Sequence, residues 1–409
     1  MSGVPAPEPQ PDTHDAPAAL LFTAFEPSGD EHAAHVIAEL KRRRPGLKVY
    51  AWGGRRMEAA GATLVERTGD DAVMGLPGLA KIREHARINE RVADFLAGHR
   101  VAVHVPVDSP AANFPLCRIA KRAGCRVVHL VAPQIWAWGR WRIHKLRRLT
   151  DMVLCLLPFE ERFFVRRRVP ARFIGHMLFD EPLDGAALDR VAAEFPGGPV
   201  RLAFMPGSRP AEFRRNFPLI LRIFRALRRA YPGAVGVLAA TRPGVEAELR
   251  RIAERHGGWP EGLATTVGRT DAVTRWCSLA LVKSGTVTLQ VARHLRPMVI
   301  FYKHSNPLFY YLVARVILST RRFALPNVIA MRTVVPEFVP HFGGPGPIVA
   351  AARALIDDEA ARRRQTADLA DVLARFKGRH ASALAADAIE AVAGLAPLPS
   401  PDLTPQART

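Results

Sequence analysis

The sequence lacks the patterns that mark several common classes of protein. It has only four cysteines, Cys117, Cys125, Cys155 and Cys277, and no two of them form a Cys-x-x-Cys pair. We therefore expect buried, reduced thiols instead of a disulfide framework or a zinc site. No His-Glu-x-x-His and no Asp-x-Asp occurs, so the sequence predicts neither a metal nor a cofactor. No apolar run approaches the roughly 20 residues that a membrane-spanning helix needs.

The N-terminal residues 1–17 contain no lysine or arginine. A secretory signal needs a basic start before an apolar core, and this stretch has neither. It is rich in proline and polar residues, so we predict a disordered leader on a protein that stays in the cytoplasm. Residues 397–409 are predicted to form a loose tail.

Positive charge is the strongest bias of the composition. The chain has 58 lysines and arginines against 38 acidic residues, which gives a formal net charge of +20. Such a charge implies an anionic partner, and nucleic acid, anionic lipid headgroups and phosphorylated substrates all qualify. No zinc finger, RNP sequence or clear helix-turn-helix occurs, so we do not expect nucleic acid to be the partner.

Short buried strands alternate with amphipathic helices, and this rhythm occurs twice. Strands at 18–24 and 101–107 lead into helices in the first half, and strands at 200–205 and 279–282 do so in the second. The alternation predicts an α/β fold of two Rossmann-like domains facing a ligand cleft, which is the GT-B architecture. The predicted boundaries are an N-terminal domain at 18–183, a linker at 184–199, a C-terminal domain at 200–346 and a helical segment at 347–396.

Two turns in the first half place carboxylates directly after buried strands. The first turn carries Glu26, Ser28 and Asp30, which could bind sugar hydroxyls. The alternative is an ordinary turn in which Asp30 caps its helix. Asp108 follows the second strand, where it could deprotonate an attacking hydroxyl or cap the helix that comes next.

Two turns in the second half have the composition of a diphosphate site. They are Gly207-Ser208-Arg209 and Lys283-Ser284-Gly285-Thr286, the second followed by Gln290. Small residues let a phosphate approach a helix N-terminus, where backbone amides favour negative charge, and an arginine adds a fixed positive fork. Together the turns predict nucleotide diphosphate binding at the two sides of a switch point in the sheet.

Two further segments combine aromatic and basic residues. Residues 136–142 hold three tryptophans and two arginines, and residues 303–322 hold Phe309, Tyr310 and Tyr311 between basic ends. The first segment could bind nucleic acid or acyl chains, or belong to a core. The second suits contact with anionic lipid, or a buried helix with solvated ends.

Short motifs distributed along the whole chain are together more specific than any one of them. In order they are SGD at 28–30, GG..M at 53–57, AVMG at 72–75, VDSP at 107–110, PQIWAW at 133–138, LPFE at 157–160, IGH at 174–176, PGSR..E at 206–212, SGT at 284–286, PMV at 297–299, LPNVIA at 325–330 and VPE at 335–337. Over residues 18–390 this series resembles the lipid-A-disaccharide synthase family. The resemblance implies a GT-B glycosyltransferase with an inverting, metal-independent mechanism.

The resemblance also implies a reaction and a location. Diacylglucosamine would pass from UDP-2,3-diacylglucosamine to the 6-hydroxyl of 2,3-diacylglucosamine 1-phosphate, forming the β(1→6) lipid A disaccharide 1-phosphate and UDP. Members are peripheral proteins on the inner face of the bacterial inner membrane, which makes an anionic membrane surface a partner, and some form homodimers through C-terminal exchange. Both substrates are acylated and anionic, in agreement with the basic charge.

The motifs carry site roles onto individual residues. Asp108 matches the essential carboxylate of the family and is the candidate base. The acceptor side is implied at Glu26, Ser28, Gly29, Asp30 and Asn113. The UDP-sugar side is implied at Gly207, Ser208, Arg209, Ser284, Gly285, Thr286, Gln290, Asn327 and Glu337.

The chain departs from the family motifs at several positions. A glutamate, an aspartate and an arginine of the family are replaced by Gly78, Ala111 and Gly139. The acid that usually holds a ribose is Gln290, and a glutamine is replaced by Pro340. Gln290 can still bond hydroxyls, without charge assistance. The alternatives are therefore a related GT-B glycosyltransferase with a different acceptor, or a UDP-binding paralogue without turnover.

Overall fold

A computed structural model describes residues 19–68, 79–207, 210–240, 244–304, 307, 318–320 and 322–395. The predicted leader and tail lie outside the described residues, as do Gly78, Ser208 and Arg209. Most of the aromatic and basic segment at 303–322 also lies outside them. The described residues form two parallel sheets, one in each half of the chain.

The first sheet has seven described strands. They are β1 (Ala19–Ala24), β2 (Val49–Gly53), β3 (Thr63–Arg67), β4 (Val101–Val107), β5 (Arg126–Leu130), β6 (Met152–Cys155) and β7 (Ala171–Phe173). Their order is β3-β2-β1-β4-β5-β6-β7, and every neighbouring pair is parallel. The helices of this half are α1 (Pro27–Arg43), α2 (Arg55–Ala59), α3 (Leu79–Gly98), α4 (Pro110–Arg122), α5 (Ile143–Leu149) and α6 (Glu160–Val165), with 3-10 turns at Arg140–Arg142 and Met177–Phe179.

The second sheet has six described strands. They are β8 (Arg201–Met205), β9 (Val235–Ala240), β10 (Leu263–Val267), β11 (Leu279–Lys283), β12 (Met298–Lys303) and β13 (Glu337–His341), in the parallel order β10-β9-β8-β11-β12-β13. The remaining helices are α7 (Gly185–Ala192), α8 (Pro210–Ala230), α9 (Val245–Glu254), α10 (Thr270–Trp276), α11 (Val287–Arg293), α12 (Leu325–Ala330), α13 (Gly346–Asp357), α14 (Glu359–Ala374) and α15 (Ala381–Ala393). Both sheets therefore have the alternating α/β organisation that the sequence predicts.

Hydrophobic patterning explains why these segments form these elements. All six residues of β1 are buried. A parallel strand that helices cover on both faces is buried along its whole length, so its residues are mostly apolar. Along α8, Phe213, Phe217, Ile220 and Phe224 recur at spacings of three and four residues and are all buried. The helix therefore presents a single apolar stripe to the core of its half.

The described chain divides into two compact units. The first comprises the described residues up to Gln134, Trp141–Met177 and the described residues from Arg379 onward, and the second comprises Ile135–Arg140 and Leu178–Gly378. This division differs from the predicted linker at 184–199. The side chain of Asp184 accepts the Ala187 amide at 2.9 Å and caps α7, which packs on α10 inside the second unit.

The predicted C-terminal helical segment is helical in its described part but is shared between the units. The helix α13 packs on α8 of the second unit, whereas α15 packs on α1 of the first. Arg43 forms an ion pair with Asp387 at 2.6 Å, and Arg44 forms one with Glu390 at 2.7 Å. These charges therefore join α15 to the end of α1.

The four cysteines are buried free thiols, which confirms the prediction made from their spacing. Burial raises the pKa of Cys117 and of Cys277 to about 12, so both are protonated at neutral pH. None of the helices in the described part of the chain is long and apolar enough to cross a membrane.

Candidate active site

The predicted site segments lie at the switch point of each sheet. In the first sheet β1 and β4 are neighbours, with Ala24 opposite Val107, so the turns after both strands meet at one edge. In the second sheet β8 and β11 are neighbours, with Met205 opposite Val282. Ligands of open parallel sheets bind outside the carboxyl ends of strands at such points.

Asp108 lies in a left-handed turn directly after β4. Its φ is 47° and that of Ser109 is 38°, a region that side-chain-bearing residues seldom adopt. The Asp108 amide donates to the carbonyl oxygen of Leu130 at 3.0 Å. The turn ends the strand abruptly and leaves the half-buried Asp108 side chain at the edge of the sheet.

Asn113 holds this turn in place through hydrogen bonds of its side chain. Its side-chain amide donates to the carbonyl oxygens of Val107 at 3.0 Å and Asp108 at 2.9 Å, and its Oδ1 accepts the hydroxyl of Thr23 at 2.7 Å. Thr23 also lies 2.9 Å from Nε2 of His104. Asn113 is fully buried. This placement differs from the expected acceptor contact, since its polar atoms are occupied by protein groups.

The residues after β1 have separate positions. Ser28 is exposed in the first turn of α1, and Glu26 accepts the hydroxyl of Ser109 at 3.0 Å. Gly29 is buried, and a Cβ there would lie 3.3 Å from that of Ala24, so the glycine lets α1 pack close to the strand. Of this group, Ser28 is exposed and Glu26 is half-buried.

Asp30 caps a neighbouring helix. Its carboxylate accepts the backbone amides of Gly54 at 2.9 Å, Arg56 at 3.2 Å and Met57 at 3.2 Å, which are the unpaired donors at the start of α2. From the sequence, Asp30 could cap its own helix α1 or contact the acceptor. The structure shows it capping α2.

In the second sheet, Gly207 covers a buried ion pair. Lys283 donates to Glu212 at 2.8 Å, with side chains only 13% and 6% exposed. Gly207 has a φ of 110°, and a Cβ there would approach Oε2 of Glu212 to 2.7 Å. Only glycine fits at this half-buried position.

The turn after β11 is the second candidate phosphate contact. The Ser284 amide donates to Phe301 at 3.1 Å and its hydroxyl to the carbonyl of Phe323 at 3.3 Å, while Thr286 is exposed. One turn into α11, Gln290 donates to Asp271 at 2.9 Å, and His294 lies 2.8 Å from the other oxygen of Asp271. Gln290 is half-buried.

Asn327, inside α12, and Glu337, the first residue of β13, are joined by a hydrogen bond. Buried Asn327 accepts the amides of Val334 and Val335 at 2.7 and 2.9 Å and donates to Glu337 at 2.8 Å. The other oxygen of Glu337 accepts the Phe323 amide at 2.6 Å. The two residues expected on the UDP side therefore hold the backbone that flanks Ser284.

Sequence reasoning missed several residues that these contacts identify. Thr23 and His104 are buried inside strands, where an isolated polar residue gives no signal of its partner. Asp271 stands in the first turn of α10 and resembles an ordinary helix-start acid. No three His, Cys, Asp or Glu side chains in the described ranges are grouped so as to hold a metal ion.

The family is decided by comparison with known sequences. Residues 20–390 match the family model described as lipid-A-disaccharide synthetase. The chain belongs to the lipid-A-disaccharide synthase family. It is 38% identical over 360 residues to the lipid-A-disaccharide synthase of Anaeromyxobacter dehalogenans strain 2CP-1, covering 87% of this chain and 92% of that protein. It is 33% identical over 378 residues to that of Pseudomonas entomophila, covering 91% and 98%. It is therefore a glycosyltransferase.

Solved structures resemble the fold at low sequence identity. The UDP-GlcNAc 2-epimerase of Neisseria meningitidis, bound to UDP-GlcNAc, has a TM-score of 0.61 at 10% identity, over 91% of this chain and 98% of that one. An Anabaena protein in complex with UDP-glucose has a TM-score of 0.57 at 10% identity, over 92% and 100%. The likeness extends over both halves and confirms the two-domain α/β fold of GT-B proteins.

Proposed function

We propose that the chain transfers diacylglucosamine from UDP-2,3-diacylglucosamine to the 6-hydroxyl of 2,3-diacylglucosamine 1-phosphate, forming the β(1→6) lipid A disaccharide 1-phosphate and UDP. The observation that carries the proposal is the placement of Asp108. It is a carboxylate at the switch point of the first sheet, in a strained turn held by buried hydrogen bonds. Membership of the family supports the same reaction.

Asp108 acts as the general base in this proposal. Its carboxylate accepts the proton of the 6-hydroxyl while that oxygen attacks the anomeric carbon of the donor sugar. The bond to UDP breaks as the glycosidic bond forms, and UDP carries away the bonding electron pair. One displacement inverts the anomeric configuration without a covalent intermediate, so a single positioned carboxylate suffices.

The second unit supplies the groups that suit the UDP-sugar. The missing side chain at Gly207 lets a diphosphate approach the backbone, and the 21-residue helix α8 begins shortly afterwards, at an end that favours anions. We assign Ser208 and Arg209 of the same motif to the diphosphate, together with exposed Thr286. The UDP-sugars in the two structural neighbours support this choice.

Ala111 favours one alternative, a changed acceptor. It is exposed in the first turn of α4, three residues after Asp108, where the family motif has an aspartate. The missing carboxylate would alter contacts to the acceptor sugar without touching Asp108. A related transferase with a different acceptor is therefore the second candidate, and acceptor screening distinguishes the two.

We also propose attachment to the anionic inner face of the membrane. Trp141 is 62% exposed, and α5 directly after it exposes Lys145, Arg147 and Arg148. An exposed tryptophan beside clustered cations suits the headgroup region of an anionic bilayer. A homodimer remains a prediction of the family resemblance.

The reaction is tested by mass spectrometry of the products. Purified chain receives UDP-2,3-diacylglucosamine and 2,3-diacylglucosamine 1-phosphate in mixed detergent micelles, with and without EDTA. We expect disaccharide 1-phosphate at equal rates in both. Binding of UDP without product from this acceptor, but with product from another acylated sugar, would support the changed-acceptor alternative. Binding of UDP without any product would indicate a paralogue that does not turn over.

A further inference from the structure

Asp271 determines which end of the Gln290 side-chain amide faces it. The Nε2 group of Gln290 lies 2.9 Å from Oδ2 of Asp271. An ionised carboxylate can only accept, so the amino end of the amide must face it and the carbonyl end must face away. The orientation of the amide follows from this chemistry.

Asp271 is itself held in place. His294 contributes Nε2 at 2.8 Å from Oδ1, and its side chain is only 1% exposed. Burial raises the pKa of Asp271, but hydrogen bonds from His294 and Gln290 and the nearby charge of Arg293 outweigh it and lower the pKa overall. Asp271 is therefore an anion at neutral pH and a persistent acceptor.

The helical spacing aligns these groups with the phosphate turn. Thr286, Gln290 and His294 follow one another at intervals of four residues, so they lie on one side of α11, with Thr286 and His294 as its N-cap and C-cap. Thr286 is exposed and Gln290 half-buried, while His294 is the buried end of the row. Asp271 belongs to the first turn of α10, which follows β10 at the same carboxyl edge of the sheet.

We propose that Asp271 is a positioning residue that turns the Gln290 carbonyl oxygen toward the ribose hydroxyls of the bound UDP-sugar. The inference rests on the proposed UDP site and deepens it. The neutral amide thus presents an acceptor oxygen, as a carboxylate at that position would. Among the described residues, the Gln290 Oε1 atom takes part in no hydrogen bond. The same geometry makes an acid at position 290 unfavourable, because it would face Asp271 as a second anion.

The test compares nucleotide affinities of four proteins by calorimetry. They are the wild type, Gln290→Glu, Asp271→Ala and the double variant Gln290→Glu with Asp271→Asn. Each is titrated with UDP and with 2′,3′-dideoxy-UDP, which lacks the ribose hydroxyls. We expect Gln290→Glu to bind UDP about tenfold more weakly, since like charges at hydrogen-bond distance oppose each other. The double variant should recover to within about threefold of the wild type, because the introduced asparagine amide would then donate to the introduced carboxylate.

Asp271→Ala separates positioning from general loss of structure. Asp271→Ala should lower the preference for UDP over the dideoxy analogue about tenfold. Without Asp271, the Gln290 amide would turn its amino group to the ribose as readily as its carbonyl oxygen. Reduced stability alone would weaken the binding of both nucleotides equally and leave the ratio of the two affinities unchanged. Thermal unfolding without nucleotide gives a second measurement, in which Gln290→Glu should melt below both the wild type and the double variant.

Three results contradict the proposal in distinguishable ways. If the wild type does not bind UDP, the proposed function itself fails. If the wild type binds UDP and Gln290→Glu binds it equally or more tightly, the positioning role of Asp271 is wrong while the UDP site stands. An unchanged nucleotide preference in Asp271→Ala has the same meaning.

Discussion

Asn113 donates a side-chain hydrogen bond of 2.9 Å to the backbone carbonyl of Asp108. The bond comes from a fully buried side chain and reaches a residue with a φ of 47°. Strained backbone of this kind persists only where its surroundings hold it, and it is concentrated at functional sites. The direction of the candidate base thus depends on an amide whose own contacts are all to protein groups.

The first prediction concerns this support. Asn113→Ala should lower kcat at least tenfold, because the turn can relax and a misplaced catalytic group loses rate steeply. Stability should fall by about 1–3 kcal/mol, since Thr23 and two backbone carbonyls lose a buried partner. Steady-state kinetics and urea unfolding measure the two effects.

A matched pair of variants controls for stability. Thr23→Val removes the hydroxyl that bonds Asn113, whereas Thr150→Val removes a buried hydroxyl that bonds the Leu146 carbonyl at 2.7 Å, away from Asp108. Both should destabilise the fold, but only Thr23→Val should lower kcat. Equal kcat values for the pair would show that the network has no part in positioning the base.

The second prediction separates two residues of one motif. Asp30→Ala should destabilise the fold by about 1 kcal/mol, because α2 loses the cap on its first amides. Ser28→Ala should leave the free energy of unfolding within about 0.5 kcal/mol of the wild-type value, as is usual for an exposed side chain. The same variant should raise the KM of the acceptor. Chemical unfolding and acceptor titrations are the measurements. A raised acceptor KM in Asp30→Ala at unchanged stability would contradict the capping role.

The third prediction addresses the ion pair beneath Gly207. Lys283→Met should destabilise the protein by about 3–5 kcal/mol, because the buried carboxylate of Glu212 would lose its ion-pair partner at 2.8 Å. Adding Glu212→Gln should recover part of the loss. Denaturant unfolding of both variants gives the comparison. A double variant less stable than Lys283→Met would show that the charge of Glu212 is not the cause.

The fourth prediction concerns pH. Burial lowers the pKa of His104, His129 and His176 to about 3 and that of His32 to about 4, against 6.5 when unfolded. Between these values the unfolded chain binds protons that the folded one does not. The part of the unfolding free energy that depends on these histidines is therefore fully present above pH 6.5. On acidification it falls by about 1.4 kcal/mol per pH unit for each histidine.

One histidine suits a direct measurement. Neither ring nitrogen of His129 has a hydrogen-bond partner, so an apolar replacement leaves no described polar group stranded. His129→Leu should reduce the slope of unfolding free energy against pH by about 1.4 kcal/mol per unit between pH 6 and 4. An unchanged slope in His129→Leu would mean that His129 is protonated in the folded chain.

The fold is predictable from the sequence because its signals are local. The run at 101–107 predicts β4 with the bounds it has, and continuous apolar character marks the other buried strands. The start of α1 at Pro27 has a weaker signal, because a proline after a strand suits a turn as well as the first position of a helix. The path of α15 back to α1 depends on long-range packing of Ala385 and Ile389 in the core of the first unit and on tertiary ion pairs, so it has no local signature.

The site is predictable where chemistry and strand ends coincide, as at Asp108 and Gly207. The family resemblance alone does not separate ligand contacts from supports, since it implies ligand contacts for Asn113 and Asn327, which are buried and bonded to protein backbone. The partnership of Asp271 with Gln290 joins two helices across 19 residues of sequence, and only the packing of α10 on α11 reveals it.

The central claim, that Asp108 is the base of a glycosyl transfer, is tested most directly by one comparison. Turnover of UDP-2,3-diacylglucosamine and 2,3-diacylglucosamine 1-phosphate is measured for the wild type and Asp108→Asn, alongside the affinity of each for UDP. The account predicts that Asp108→Asn loses turnover by at least about a hundredfold, the usual contribution of a general base, while UDP affinity is unchanged. Wild-type turnover in Asp108→Asn would contradict it.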